Sequence, residues 1–244
     1  MKRSILLWAI LMMATLCAVS TQAQKLDAQA ILDRVRSTWQ GESFHAVLRL
    51  DLTLSGQTES HVLEVWTLGE DYALIRILPP NPDAGAGYLK VKDDLWYYSP
   101  DVGMAIELPA IALGDALFGA GPSLSDLSRS TLSDDYDATA VADGDGYLLT
   151  LIPHPDAPVV YGKLEIRVDL DYVLEQIVYY DQRGEVVRTA IFSHVVKLGE
   201  RSFPTQIIVE DTRGDRAVER IEDPQFDIAI DPSFFSLDRL EERK

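Results

Sequence analysis

The chain has 244 residues, a formal net charge of −17 and a hydrophobic content of 47%. This apolar content is sufficient for a sizeable core. The strong negative charge repels nucleic acid and anionic membrane surfaces, so we expect no nucleic-acid partner.

The first 23 residues predict export from the cytoplasm. The basic pair Lys2-Arg3 precedes an apolar run over residues 5–19, and small or polar residues follow as far as Ala23. This layout is typical of a cleavable secretory signal peptide at 1–23. The alternative is an uncleaved membrane anchor, but a spanning helix needs roughly 20 apolar residues and this run is shorter.

Cys17 is the only cysteine and tests for a lipid anchor. A lipidated cysteine follows a small residue, whereas Leu16 precedes Cys17, so we predict no lipidation. The mature chain then has no cysteine for a disulfide or a metal site. We expect residues 24–244 to form a single domain.

The mature chain begins with an amphipathic helix predicted at 26–39 and then changes to a period of two. In residues 44–54, Phe, Ala and Leu alternate with polar side chains, which predicts a half-buried strand. Further strands are predicted at 61–68, 72–78, 88–94 and 95–100.

Residues 108–132 lack strand alternation and are rich in Leu, Ala, Gly and Ser. We predict two short helices here, one around 109–118 and one after Ser123. Large apolar side chains beside glycines suit a cover that packs against the sheet and then releases. The side chains expected to face the opening are Leu113, Leu117 and Phe118.

The second half returns to strand alternation, with turns marked by Gly and Asp. The strands are predicted at 147–152, 161–170, 173–180, 186–197, 203–211, 215–222 and 225–230. About eleven antiparallel strands, one helix at the front and a helical insertion indicate a mainly β fold, an incomplete antiparallel β-barrel.

Motifs for catalysis and metal binding are missing from the sequence. The four histidines are not at metal-ligand spacing, and there is no G-x-S-x-G elbow or glycine-rich phosphate loop. Strand alternation places His45 and His61 on outward faces. The acidic run at 134–145 lacks the glycine and glutamate of a calcium loop, so we interpret it as hairpin turns. We predict no catalytic residue, no metal and no cofactor.

The same alternation gives the sheet one strongly apolar concave side. These residues could form an ordinary filled core, or they could line a cavity under a loose helical cover, as in a lipid carrier. The predicted lining residues are Leu48, Leu50, Leu63, Val65, Ile75, Ile77, Leu89, Val91, Leu149, Leu151, Leu164, Ile166, Ile207 and Val209.

Two short motifs stand out, a W-x-Y-x-P strand end at 96–100 and a D-x-x-G-x-x-x-R-T turn at 181–189. Between them, Gly119 and the run 125–127 fit a G-x-D-x-S/T-x-x-D-L segment, although Ala120-Gly121-Pro122 departs from its acidic position. In these motifs the chain resembles the LolA/LolB-like family of outer-membrane lipoprotein-sorting proteins.

The resemblance covers about residues 88–240 and implies a half-barrel with a helical lid over a cavity for acyl chains. It also implies a monomeric periplasmic carrier of lipids or lipoproteins, with an inner-membrane exporter and an outer-membrane acceptor as partners. Family carriers close the lid with a barrel arginine. Arg49 and Arg76 lie in early strands, but alternation points both outward, so we assign neither to that role.

Two other functions stay open. One is a lipid-sensing regulatory or exporter-associated protein of the same fold, and the other is an enzyme built on this barrel. An enzyme would need a polar cluster inside the cavity, whereas the predicted lining is apolar.

Overall fold

The computed structural model describes residues 26–109, 112, 117–119, 135–155, 157 and 159–242. The predicted signal peptide, Leu113 and the helix predicted after Ser123 lie outside these residues, as does most of the helix predicted around 109–118. No helix in the described part of the chain has the length and apolar character needed to cross a membrane.

The described residues form one unclosed sheet of 13 antiparallel strands. The strands are β1 (Ser43–Leu54), β2 (Gln57–Leu68), β3 (Tyr72–Leu78), β4 (Gly87–Val91), β5 (Asp94–Ser99), β6 (Met104–Leu108), β7 (Tyr136–Asp143), β8 (Gly146–Pro153), β9 (Lys163–Asp169), β10 (Leu174–Tyr180), β11 (Val186–Leu198), β12 (Arg201–Asp211) and β13 (Arg216–Phe226).

The order of the strands joins two meanders. β1 to β6 run from the centre of the sheet to one edge, and β7 to β13 run from the other edge back to the centre, where β13 pairs with β1. β6 and β7 are therefore the two edge strands. The predicted fold class, an incomplete antiparallel β-barrel, is confirmed.

Helix α1 (Ala28–Gln40) follows the capping rules that its sequence indicates. The Asp27 carboxylate accepts a 3.1 Å hydrogen bond from the amide of Ala30, and Gly41, at φ 62°, ends the helix. A short helix, α2 (Leu237–Glu241), follows near the carboxy terminus. Single turns of 3-10 helix lie at Leu117–Gly119 and Pro232–Phe234.

Each face of the sheet carries its own apolar cluster. We call the face that α1 covers the inner face, and its buried side chains the inner cluster; Ile31 and Val35 of α1 belong to it. The opposite, outer face carries the outer cluster. Its buried members are Trp66, Leu74, Leu89, Tyr98, Phe235 and Leu240.

The sequence prediction misses β6 and β7. Edge strand β6 is short, and its Met104 and Ile106 are exposed, so it shows no buried alternation. β7 contains alternating alanines, which are too small to give a strong apolar signal. Part of the run interpreted as acidic turns is therefore strand.

The break predicted between strands at 215–222 and 225–230 is wrong, because β13 is continuous from Arg216 to Phe226. Pro224 lies between the two predicted strands. The register of β1 against β13 instead shifts between His45 and Val47, and Asp223 takes a φ of 48°. A β-bulge thus accommodates the extra residue and lets the strand continue.

Candidate ligand-binding face

Most of the predicted lining residues come together in the inner cluster. Each is at most 7% exposed in the described structure. They are Leu48, Leu50, Leu63, Val65, Ile75, Ile77, Leu149, Leu151, Leu164, Ile166, Ile207 and Val209. The set draws on strands from both halves of the sheet, so one apolar surface runs across the inner face.

Leu89 and Val91 do not join this surface. In the register of β3 with β4, Leu89 pairs with Leu74 and Tyr88 pairs with Ile75. Directly opposed residues share a face, so Leu89 and Val91 lie with the outer cluster and Tyr88 lies inside. The sequence prediction took the aliphatic residues of β4 as inward, but here the tyrosine fills that position.

Helix α1 is a firmly attached part of the cover over the inner face. The Arg201 guanidinium donates to the carbonyl of Thr38 at 2.8 Å and also to that of Ser37, at the carboxy-terminal end of α1. It also pairs with Asp227 at 3.0 Å. A cation at this end of a helix satisfies its last carbonyls and complements the helix dipole.

The turn Leu117–Gly119 covers the inner face in a different way. Leu117 is buried in the inner cluster, and Phe118 packs against it. The Phe118 ring lies flat on the His61 imidazole, with centroids 3.8 Å apart. Phe118 has a φ of 57°, a conformation that costs a bulky residue on the order of 1–3 kcal/mol.

His61 lies on the inner face, so its predicted outward orientation is wrong. It precedes Leu63 and Val65 at strand spacing and pairs with Leu50 across β1 and β2. It is only 8% exposed. Strand alternation predicts this position of His61, because residues 61, 63 and 65 of one strand lie on the same face.

The hydrogen bonds around His61 define its tautomer. The Asn81 side-chain oxygen accepts from the amide of Asp83 at 2.8 Å, so the Asn81 nitrogen must donate to His61 Nδ1. Nδ1 is then the acceptor, and the neutral ring carries its proton on Nε2. Burial lowers the pKa of His61, while the nearby Glu59 acts in the opposite direction.

The Nε2 atom of His61 is buried, and no described residue offers it a hydrogen-bond partner. Glu59 Oε2 lies 3.6 Å away, beyond hydrogen-bonding distance. A buried donor without a partner is unusual in a folded protein, since it costs about 1–3 kcal/mol.

Glu219 is a second polar residue on the inner face, and the sequence analysis did not single it out. It is 4% exposed and lies between Ala217 and Ile221, both in the inner cluster. Its strand neighbours are Leu50 on β1 and Ile207 on β12. The signal was available, because an acidic residue occupied an inward position of an alternating strand.

Neither candidate arginine faces the cover. Arg49 pairs with Glu222 at 2.6 Å on the exposed outer side. Arg76 is buried on the outer face and donates to the carbonyl of Glu242 at 2.6 Å and to that of Arg239. The outward orientations predicted from alternation are therefore confirmed. Within the part of the chain that the structure describes, no group of three or more acidic, His or Cys side chains could hold a metal.

These features define the class of protein, an incomplete barrel with a covered apolar inner face. Three solved structures share the fold. A LolA superfamily protein from Nitrosomonas europaea is 21% identical, with a TM-score of 0.73, over 87% of this chain and 99% of the other. A proposed outer membrane lipoprotein-sorting protein domain from Vibrio parahaemolyticus is 16% identical, with a TM-score of 0.77, over 88% of this chain and 98% of the other.

The third is a DUF1329 family protein from Desulfovibrio piger, which is 19% identical, with a TM-score of 0.76, over 87% of this chain and 98% of the other. The chain thus has the LolA-like fold that the sequence resemblance predicted. A family model described as "Uncharacterized protein" matches residues 69–242, and the chain belongs to that family. Comparison with curated proteins gives no match.

Proposed function

We propose that the protein is a periplasmic carrier that binds lipid or lipoprotein acyl chains on the inner face and transfers them towards the outer membrane. The observation that carries this proposal is the continuous apolar surface of the inner cluster, which draws on both halves of an unclosed sheet. The similarity of the fold to a LolA superfamily protein and to a lipoprotein-sorting domain supports it.

The cover is suited to the exchange of one apolar partner for another. Leu117 and Phe118 contact the inner face through apolar and aromatic surface, and such contacts have no directional requirement. Each methylene of an acyl chain that becomes buried contributes about 0.8 kcal/mol to the free energy of binding. This contribution offsets the contacts that the turn loses when it leaves the inner face. The strained backbone of Phe118 reduces the cost of its release.

The apolar inner face is suited to binding an acyl chain and not to catalysing a reaction. The described inner face is mainly apolar, and its buried polar side chains include His61 and Glu219, which stand on either side of Leu50. The net charge of −17 keeps the protein from adhering to anionic headgroups during transfer. We propose that the carrier is a monomer that receives its cargo from an inner-membrane exporter and delivers it to an outer-membrane acceptor.

Native mass spectrometry of protein purified from the periplasm tests the proposal directly. We expect an added mass that organic extraction identifies as an acyl lipid or a lipoprotein fragment. The purified polypeptide should begin near Gln24 and carry no lipid. A polypeptide that begins at Cys17 with an attached lipid would contradict the soluble carrier.

A double variant tests whether the inner face is the site. Leu50→Gln with Ile166→Gln should abolish binding of a fluorescent fatty-acyl probe while cooperative unfolding persists. The matched control is Arg213→Gln, at a side chain that is 77% exposed, and it should leave binding intact. Full binding by the folded double variant would show that ligands bind elsewhere. Complete unfolding would instead identify these residues as a filled core, since each buried side chain contributes roughly 1.5–3 kcal/mol.

A further inference from the structure

One hydrogen-bond donor on the inner face is buried without an acceptor. The Nε2 atom of His61 has no hydrogen-bond partner among the described residues, and His61 is only 8% exposed. Glu59 Oε2 lies 3.6 Å from this atom, too far for a hydrogen bond. Because buried polar groups are nearly always paired in folded proteins, an unpaired donor on this face indicates an acceptor that a ligand supplies.

Asn81 makes Nε2 the donating atom of His61. Its side-chain nitrogen donates to Nδ1, since its oxygen already accepts from the amide of Asp83 at 2.8 Å. A neutral imidazole that accepts at Nδ1 carries its proton on Nε2. Burial lowers the pKa of His61 and so favours this neutral form. His61 therefore offers one hydrogen bond and no charge, which suits an uncharged acceptor.

His61 lies where the apolar inner face meets the exposed end of β2. Every second residue of a strand lies on one face, so Glu59, His61 and Leu63 follow one another on the inner side. The Glu59 side chain is 62% exposed, whereas Leu63 is completely buried. His61 thus marks the level at which the apolar surface begins. An acyl chain that lies over Leu63 and Val65 would have its head at this level.

An acyl ester has its carbonyl group at the same kind of boundary. The carbonyl joins the apolar chain to the polar head and loses its hydrogen bonds to water when the chain is buried. A carbonyl oxygen accepts hydrogen bonds and carries no net charge. Pairing this oxygen with His61 Nε2 would remove the cost of burial from both groups.

The turn Leu117–Gly119 covers His61 and the apolar surface together. The Phe118 ring lies flat on the imidazole, with centroids 3.8 Å apart, and Leu117 is buried in the inner cluster. Movement of this one turn would therefore uncover the donor and the neighbouring apolar surface at the same time.

We infer that His61 is a ligand-binding residue whose Nε2–H group holds the carbonyl oxygen of an acyl ester while the chain lies over the inner face. This inference rests on the proposed function and adds the polar contact that orients the ligand. The head of the ligand points towards Glu59, and the chain runs over Leu63 and Val65.

Displacement of N-phenyl-1-naphthylamine, an apolar fluorescent probe, tests the inference on the purified protein. The competitors are methyl myristate and tetradecyl methyl ether, which have the same chain and differ only in the carbonyl oxygen. The quantity compared is the ratio of ester affinity to ether affinity, so that general changes in apolar binding cancel.

Two matched histidine variants locate the effect. His61→Phe keeps an aromatic ring against Phe118 and removes the donor, so the ester-to-ether ratio should fall about five- to tenfold, the usual effect of one hydrogen bond. His45→Phe is the control, because His45 stacks on Trp66 and contacts Glu64 on the outer face. The ratio should be the same in His45→Phe and in the wild type. Unfolding curves establish that both variants are folded.

The infrared carbonyl stretch of bound methyl myristate is a second measurement, and on the wild-type protein it needs no variant. A hydrogen bond to the carbonyl oxygen lowers this frequency, so the stretch should lie below that of the same ester in hexane. In His61→Phe it should return towards the hexane value. If His61→Phe does not fold, the frequency in the wild type decides the inference.

The outcomes separate the inference from the proposed function. An unchanged ratio in folded His61→Phe, an equal fall in His45→Phe, or a hexane-like stretch in the wild type would overturn the inference and leave the carrier intact. Failure of the wild-type protein to bind the probe or either competitor would overturn the proposed function and the inference with it.

Discussion

The two faces of the sheet bury apolar side chains in different ways. On the outer face, Phe235 and Leu240, in and before α2, pack in one cluster with Leu74. The Arg76 guanidinium holds this segment by donating hydrogen bonds to its backbone carbonyls. On the inner face, the turn Leu117–Gly119 makes apolar and aromatic contacts. The outer segment is held by directional hydrogen bonds from a buried cation, whereas the turn over the inner face is held by contacts that another apolar molecule can replace.

This difference indicates which cluster is structural and which can serve a ligand. Removing carbonyl partners from a buried guanidinium leaves a charge without compensation, a cost that an incoming acyl chain cannot offset. Removing an aromatic contact loses only about 0.5–1.5 kcal/mol. The outer cluster is therefore expected to stay closed while the turn Leu117–Gly119 moves off the inner face.

A matched pair of leucines gives the largest expected effect. Leu63 and Leu74 are both completely buried on neighbouring strands, one in each cluster. Each change to alanine should lower the free energy of unfolding by about 2–5 kcal/mol. Urea titration measures this loss, and a fluorescent acyl probe measures binding. Only Leu63→Ala should change probe affinity, and an equal change in Leu74→Ala would break the distinction between the faces.

Arg76→Lys tests the attachment of the outer cover. Lysine cannot span several carbonyls as the planar guanidinium does, so the free energy of unfolding should fall by about 2 kcal/mol. Probe affinity should stay unchanged. The control is Arg49→Lys, because Arg49 also lies on an early strand but pairs with Glu222 at the surface. That change should leave stability almost unaltered. Similar losses in both variants would contradict a special role for Arg76.

The smallest effect is a pH dependence that comes from His61. Burial lowers its pKa below the ordinary value of 6.5, so the unfolded chain takes up this proton at a higher pH than the folded chain. The stability is fully present above about pH 6.5 and is lost as the pH falls from there towards the folded-state pKa. Urea midpoints measured at about pH 7.5 and 5.5 should therefore differ less in His61→Phe than in the wild type.

Asp51 acts in a lower pH window and does not obscure this test. Hydrogen bonds from Ser60 and Arg220 hold the pKa of Asp51 below its usual value. Its contribution is therefore lost only when the pH falls below about 4. An identical pH dependence in the wild type and in His61→Phe would show that His61 protonates equally well in the folded protein.

Much of this architecture could be predicted from residue alternation. The long strands in both halves have one apolar side, and turns with Gly and Asp separate them, so the unclosed sheet follows from local pattern. Edge strands such as β6 and β7 could not be found in this way, because their side chains are exposed or small. A bulge such as that at Asp223 depends on the partner strand, which a single sequence does not show.

The polar part of the inner face was predicted least well. The prediction assigned aliphatic residues to the inner face and histidines to the outer face. It therefore placed Leu89 on the inner face and His61 on the outer face, and the structure shows the reverse. The register with the neighbouring strand decides the position of Leu89, whereas alternation with Leu63 and Val65 already decides that of His61. The pairing of Glu219 with Leu50 joins residues that lie far apart in the sequence, so only the structure brings the histidine and the glutamate into one row.

The central pairing of β1 with β13 also governs when the chain can fold. β1 is the first described strand along the chain, yet its second neighbour, β13, is the last, and the outer-face residues Phe235 and Leu240 follow β13. Pairing between such distant segments is slow, because a long loop must close before the contact forms. Neither apolar face of β1 to β5 can be completed before then. The sheet must therefore fold as a whole, and until it does its unpaired strands remain exposed to aggregation.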